Sequence, residues 1–167
     1  MTNLTRMMFT IGTQGQHDAP FLKLLNHNSI DAVIDIRRRN EGRYYKFASG
    51  RHIRALVEGV GLAYCHELAF APTVTMLNTY RADGDWASYV PAYQQILDDP
   101  KVLGLWHAQY GQFRRPCLLC AEAVPTYCHR GLLARFLSEA FGVEVVHLIG
   151  ARCERKRGGT FKHEGDL

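Results

Sequence analysis

Two thiols, a carboxylate, an imidazole and a guanidinium fall within Cys120-Ala121-Glu122-Ala123-Val124-Pro125-Thr126-Tyr127-Cys128-His129-Arg130. Pro125-Thr126 precedes the helical periodicity of Leu132, Leu133, Phe136, Leu137 and Ala140, which predicts Thr126 as an N-cap. Cys128 then falls in the first helical turn, where free amides and the helix dipole stabilise a thiolate. Arg130 adds positive charge. Cys128 is therefore the candidate nucleophile, with His129 or Glu122 as its acid–base partner. His129 is adjacent in sequence, but consecutive helical residues diverge by about 100°, so Glu122, returning from a strand end, is an equal candidate and is expected to pair with Arg130.

Two other uses of these residues stay open. Cys117 and Cys120 form a C-x2-C pair, but residues three apart on a strand point to opposite faces. Cys120, Cys128 and His129 remain as a set that could take one metal ion. Alternatively the thiols are small buried hydrophobes, with His129 and Arg130 orienting the loop. That is the reading for Cys65, Cys117 and Cys153. The sequence names no cofactor.

Asp35-Ile36-Arg37 is a second candidate cluster. Asp35 at a strand end could act as a general base, bind a ribose, or pair with a neighbouring arginine. Strand alternation favours Arg37 over Arg38 and Arg39 for a place in a cleft. From Arg37 to Arg54 seven cations face one acid, Glu41, with Tyr44, Tyr45 and Phe47 interleaved. Cations mixed with aromatics suit phosphate contact and base stacking, although a solvated loop has the same composition. Thr10, Arg37, Arg43, His129 and Arg130 are the candidate substrate-binding residues; Cys128, Glu122 and Asp35 are the candidate catalytic ones.

The elements that must position them alternate. Strands are expected at Met7–Ile11, Ala32–Ile36, Leu62–Cys65, Cys117–Ala121 and Val143–Ile149. A helix starts at Asp18-Ala19-Pro20, and another has Ile53, Leu56, Val57 and Val60 on one face, ending at Gly61. Residues 67 to 87 read as a long loop or short helical turns, followed by helices at Tyr89–Leu97 and Val102–Tyr110. The expected fold is α/β: a single domain over residues 1–150, a mostly parallel sheet of about five strands with helices on both faces. Residues 151–167 read as a basic, flexible tail. In such a sheet the downstream strand ends share one edge, so Thr10 and Thr13, Asp35 and Arg37, His66 and Glu67, and Cys120 and Glu122 are expected to converge there.

Thr10-Ile11-Gly12-Thr13, Asp35-Ile36-Arg37, Leu118-Leu119-Cys120-Ala121-Glu122 and Cys128-His129-Arg130 resemble, in this order, the motifs of the family known as domain of unknown function 488. The resemblance runs from about Phe9 to Ile149. His66-Glu67-Leu68-Ala69-Phe70-Ala71-Pro72-Thr73, with Tyr80 and Trp86, looks like a branch of it in which an alanine-proline-threonine stretch replaces a glycine-rich turn. Thr13 stands where the family often has an aromatic, and Asn40-Glu41-Gly42 interrupts a loop that more typically carries proline and serine. The resemblance implies a compact α/β fold and a shared site, and no activity.

Composition narrows the function. No apolar run nears the roughly 20 residues that span a bilayer, and five cysteines in a chain of this size point to free thiols rather than a disulfide framework. A cytoplasmic protein without a membrane partner is expected. The leading expectation is an enzyme acting on a nucleotide, nucleic-acid component or other phosphate-bearing substrate. The alternatives are a non-catalytic nucleic-acid-binding module using residues 37–54 and the tail, and a metal-binding protein.

Overall fold

Alternate residues of the central strands sort onto two cores. In the computed structural model, which describes residues 5, 7–41 and 45–150, Met8, Ile34, Ile36 and Leu118 face one buried cluster. Phe9, Ile11, Val33, Cys117 and Leu119 face another. The period of two along a strand makes this separation unavoidable once both faces are covered. Arg43 and the tail at 151–167, including Cys153, lie outside the described residues.

The strands are β1 (Met7–Gly12), β2 (Ala32–Asp35), β3 (Ala63–His66), β4 (Pro116–Cys120) and β5 (Glu144–Leu148). They form one sheet in the order β3-β2-β4-β1-β5, and every pair is parallel. The expected α/β architecture is the one observed. β4 is buried along its whole length and lies between β1 and β2. Its register sets Gly12 beside Cys120 and Asp35 beside Leu119. The downstream ends of the three central strands are therefore level, and the loops that follow them meet.

Helices α1 (Asp18–His27) and α2 (Gly50–Glu58) cover one face, contributing Phe21, Leu25, Ile53 and Val57 to its cluster. On the other face lie α3 (Val74–Asp83), α4 (Trp86–Leu97), α5 (Pro100–Leu105) and α6 (His129–Phe141). Tyr89, Tyr93, Val102, Leu133 and Leu137 from this group close the second core. No helix of the described residues is long and apolar enough to cross a membrane.

The structure corrects four local expectations. Helix α2 ends at Glu58, so Val60 lies past it and is 55% exposed; only Ile53 and Val57 of the expected face are buried with it. The stretch read as a loop contains α3, a ten-residue helix that buries no residue fully. A helix without a buried stripe leaves no 3.6-residue periodicity, which is why its composition concealed it. Its ends are nevertheless marked: Thr73 accepts from the Met76 amide at 3.2 Å, and Gly84 stops it in the left-handed region with φ 66°. Helix α4 begins a turn earlier than expected, at Trp86 after the Asp85 cap. Thr126 is not the N-cap of α6; Cys128 is.

Since α3 lacks a buried face, its cap matters more to it than it would to a core helix. Thr73→Ala is expected to cost about 1 kcal/mol of local stability, read as faster hydrogen exchange at the α3 amides. Thr73→Ser should exchange as the parent does; equal exchange in all three proteins would remove the cap from the account.

Candidate functional site

The loop from Cys120 to Cys128 leaves the end of the central strand and returns as the start of α6. It is stitched to the end of β1: the amides of Thr13 and Gln14 donate to the carbonyls of Cys120 and Ala121, each at 2.9 Å. The crossing is close enough that a β-carbon at Gly12 would stand 1.7 Å from the Glu122 carbonyl oxygen. Only glycine fits there.

Beneath the loop lies Arg130, fully buried. Its Nε donates to Thr10 Oγ1 at 3.2 Å, and its two terminal nitrogens donate to the carbonyls of Glu122 at 2.5 Å and Ala123 at 3.3 Å. Because Thr10 accepts from Arg130, its own hydroxyl hydrogen is free for His147 Nδ1 at 2.8 Å. Burial, and then the Arg130 charge, lower the pKa of His147, so it serves as the neutral acceptor this chain requires. The expected Glu122–Arg130 ion pair is not formed. The guanidinium takes the main-chain carbonyls instead, and the Glu122 side chain lies exposed at the mouth of the site.

The two thiols meet at the junction. Cys128 Sγ lies 3.1 Å from Cys120 Sγ, and an Arg130 terminal nitrogen is 3.7 Å from Cys128 Sγ. His129 donates from Nε2 to the Ile36 carbonyl at 3.0 Å, and its Nδ1 and Nε2 lie 3.7 and 3.9 Å from Cys120 Sγ. The pair is asymmetric, with Cys120 the more acidic thiol. The Cys128 thiol donates to it, and His129 and Arg130 add positive charge against the opposing effect of burial, so its pKa falls well below the usual thiol value. Burial and the same hydrogen bond hold Cys128 well above that value. This reverses the expectation that Cys128 is the acidic thiol: as an N-cap it lies outside the first turn, and it is the donor of the pair. Burial alone would deprotonate His129, but the Cys120 charge, its hydrogen bond and the Ile36 carbonyl outweigh that and raise its pKa.

Both sulfurs line the floor of a cleft of about 230 Å³. Arg37, Arg38, Arg39 and Arg81 stand around it, and Tyr80, Trp86, Tyr89 and Tyr127 form an aromatic wall. Trp86 stacks on Tyr89 with ring centroids 5.0 Å apart and meets Tyr127 edge-on at 5.7 Å. Glu122 is at the same cleft, its carboxyl pKa raised by loss of hydration and then by the Cys120 charge. Among the arginines the roles differ. Arg37 is held by Asp35 and the Ala48 carbonyl, and Arg38 donates to the Pro72 carbonyl at 2.8 Å. Arg39 and Arg81 are exposed.

The structure thus brings Cys120, Glu122, Cys128, His129 and Arg37 to one cleft. Thr10 and Arg130 sit directly behind it, as supports. Asp35 is away from its lining; the carboxylate is fully buried and accepts from Arg37 Nε at 2.8 Å, Arg37 Nη2 at 2.6 Å and the Tyr64 hydroxyl at 2.7 Å. Alternation did not single out Arg37 as expected, since β2 ends at Asp35 and Arg38 and Arg39 reach the cleft as well. Arg81 and the aromatic wall come from α3, α4 and the loop before α6. The only sequence signal for them was Tyr80 and Trp86 in the family-like segment. Cys120, Cys128 and His129 offer one ligand atom each, all within 4.8 Å of one another, so this trio has metal-ligand spacing as well as thiol chemistry.

The family model described as domain of unknown function DUF488 matches residues 19–137, a range that holds the Asp35, Cys120 and Cys128 motifs and leaves out Thr10–Thr13. No curated protein and no solved structure matches the chain.

Asp35 holds a buried guanidinium, so its removal is a test of position against chemistry. Asp35→Asn is expected to destabilise the fold by about 3–5 kcal/mol, the cost of leaving a buried charge without its partner, measured by urea unfolding. An unchanged midpoint would free Asp35 for a role in catalysis.

Proposed function

The chain belongs to the DUF488 family, whose description states no activity, and from its cleft we propose that it is an enzyme acting on a nucleotide or a related phosphate-bearing aromatic substrate. One observation carries the reading. Two thiols 3.1 Å apart line a cleft whose walls combine four arginines with stacked aromatic rings. Arginine guanidinium groups match phosphate oxygens, and aromatic faces take a base.

In this reading Arg39 and Arg81 take the phosphate, Trp86 and Tyr127 flank the base, and Cys120 is the nucleophile. Its sulfur attacks phosphorus; the S–P bond forms as the bond to the leaving oxygen breaks, and Glu122 gives that oxygen its proton. Water then displaces the sulfur and returns a proton to Glu122, which restores both groups. Loss of hydration at the cleft mouth, and then the Cys120 charge, raise the Glu122 carboxyl pKa, as a general acid requires. Cys128 and His129 hold the thiolate, and Asp35 acts through Arg37.

A second reading has support in the exposed rim, where Arg39, Arg81 and Tyr127 are open to solvent. A single nucleic-acid strand could lie there without any reaction at the thiols.

Calorimetric titration with nucleoside monophosphates and with the parent nucleosides separates these ideas. Binding should require the phosphate and weaken roughly tenfold for each of Arg39→Ala and Arg81→Ala, as loss of one charge-assisted contact implies. Turnover of a nucleotide pool should vanish in Cys120→Ser while binding persists. Equal affinity for nucleosides and nucleotides, or full turnover by Cys120→Ser, would sink the enzyme reading. Salt-sensitive oligonucleotide binding without turnover would support the second.

A further inference from the structure

We propose that Cys120 and Cys128 form a reversible dithiol–disulfide pair, oxidised by a small peroxide that enters through the cleft. The inference stands on the geometry of the pair and does not require a nucleotide substrate.

The sulfurs are 3.1 Å apart, and a disulfide bond is about 2.0 Å long, so closure needs about 1 Å of motion. Cys120 ends a rigid central strand and residues 121–123 are tied to the end of β1 and to Arg130, so closure falls to the Cys128 side chain and to residues 124–127, which form neither helix nor strand. Access is also provided, since both sulfurs line a cleft open to solvent yet only 3% of each residue is exposed. The cleft, at about 230 Å³, has room for a small hydroperoxide.

The surroundings supply the chemistry. A thiolate beside cationic groups, with a second thiol in reach to resolve its first oxidation product, is the arrangement that makes cysteine oxidation reversible. His129 Nδ1 faces Cys120, and Arg130 stands beside Cys128. The Cys120 thiolate attacks one oxygen of hydrogen peroxide; the S–O bond forms, the O–O bond breaks, and the departing hydroxide leaves as water with the His129 proton. Cys128 then attacks the sulfenic sulfur; the S–S bond forms, the S–O bond breaks, and that hydroxyl leaves as water with the Cys128 proton. Together the two thiols lose two electrons and one peroxide becomes two waters. Two molecules of a thiol such as glutathione supply the two electrons for the return and leave joined as their own disulfide.

The other described cysteines are set apart from this site. Cys117 is fully buried in the core on the opposite face of the sheet, where burial pushes its thiol up. Cys65 is on the edge strand β3, also with a raised thiol, through burial and then the Glu67 charge. Neither lines the cleft.

The test is differential alkylation of the full-length protein. Thiols left free after hydrogen peroxide take one label, those released by a later reductant take a second, and fragment-ion masses assign each label. Cys120 and Cys128 should both carry the second label, at least tenfold above Cys65 and Cys117, and treatment with dithiothreitol before labelling should reverse this. In Cys128→Ser, Cys120 should instead pass to sulfinic acid, which dithiothreitol does not reverse. The proposal is overturned if both thiols of the wild type keep the first label, or if Cys120 in the wild type goes directly to sulfinic acid. It is equally overturned if untagged protein carries one tightly held metal ion per chain that shields both thiols until chelated. Failure of nucleotide binding leaves this experiment unaffected.

Discussion

Arg130 is buried without a carboxylate: among the described residues no acid lies within ion-pair distance of it. A guanidinium in that position needs its donors filled and its charge balanced, since an uncompensated buried cation costs several kcal/mol. The donors go to Thr10 and to two carbonyls of the loop after β4. The sulfur pair lies beside it, with Cys128 Sγ 3.7 Å from a terminal nitrogen. The same residue therefore clamps the loop onto β1 and makes a thiolate favourable at the loop's end. Gly12 lets the loop cross, and Gly131 has a matching role on the other side, where a β-carbon would come within 2.7 Å of the Pro125 carbonyl oxygen. Remove the clamp and both the loop path and the thiol chemistry lose their basis.

The arginines divide along the same principle. Arg37 and Arg38 spend their donors on Asp35 and on main-chain carbonyls, which fixes the segment after β2 against the loops at Ala48 and Pro72. Their charge still contributes to the field of the cleft, but their geometry is committed. Arg39 and Arg81 are exposed at its rim, where a side chain can reorganise around an incoming anion at little cost. A cleft with fixed inner cations and adaptable outer ones attracts an anion over a distance and contacts it at the rim. Under the proposed reading, the phosphate remains near the opening and the reacting sulfur approaches from below.

The elements with buried faces were legible in the sequence. β1, β2 and β4 are short, nearly continuous apolar runs buried on both faces, α6 carries a helical periodicity, and the parallel arrangement followed from the alternation of strands with helices. Convergence at the sheet edge followed in turn, so the meeting of Arg37, Cys120 and Glu122 at one cleft was legible. Helix α3 was not, because it packs too shallowly to bury any residue completely, and Arg81 was lost with it. Thr10 and Asp35 were recognised as special without their role being evident. Both are fully buried, and whether a polar residue near a strand end faces a cleft or supports one depends on the side chains that arrive from other elements. Arg130 and Tyr64 make that decision here, across long sequence separations.

The choice between the two thiols shows what a one-residue error in a helix start can do. With Thr126 as the cap, Cys128 falls in the first turn and receives the helix amides. With Cys128 itself as the cap, its backbone is extended, φ −141° and ψ 137°, and its sulfur turns toward the end of β4. There it becomes a hydrogen-bond donor to Cys120. The favourable field of the α6 N-terminus, Arg130 and His129 is unchanged, but the atom that collects its benefit is the sulfur on the strand. Cys128 keeps an Arg130 terminal nitrogen 3.7 Å from its sulfur, but burial and its hydrogen bond to Cys120 hold its pKa up. Cys120 receives that thiol and lies beside the His129 imidazole, so the more acidic thiol of the pair is the one on the strand.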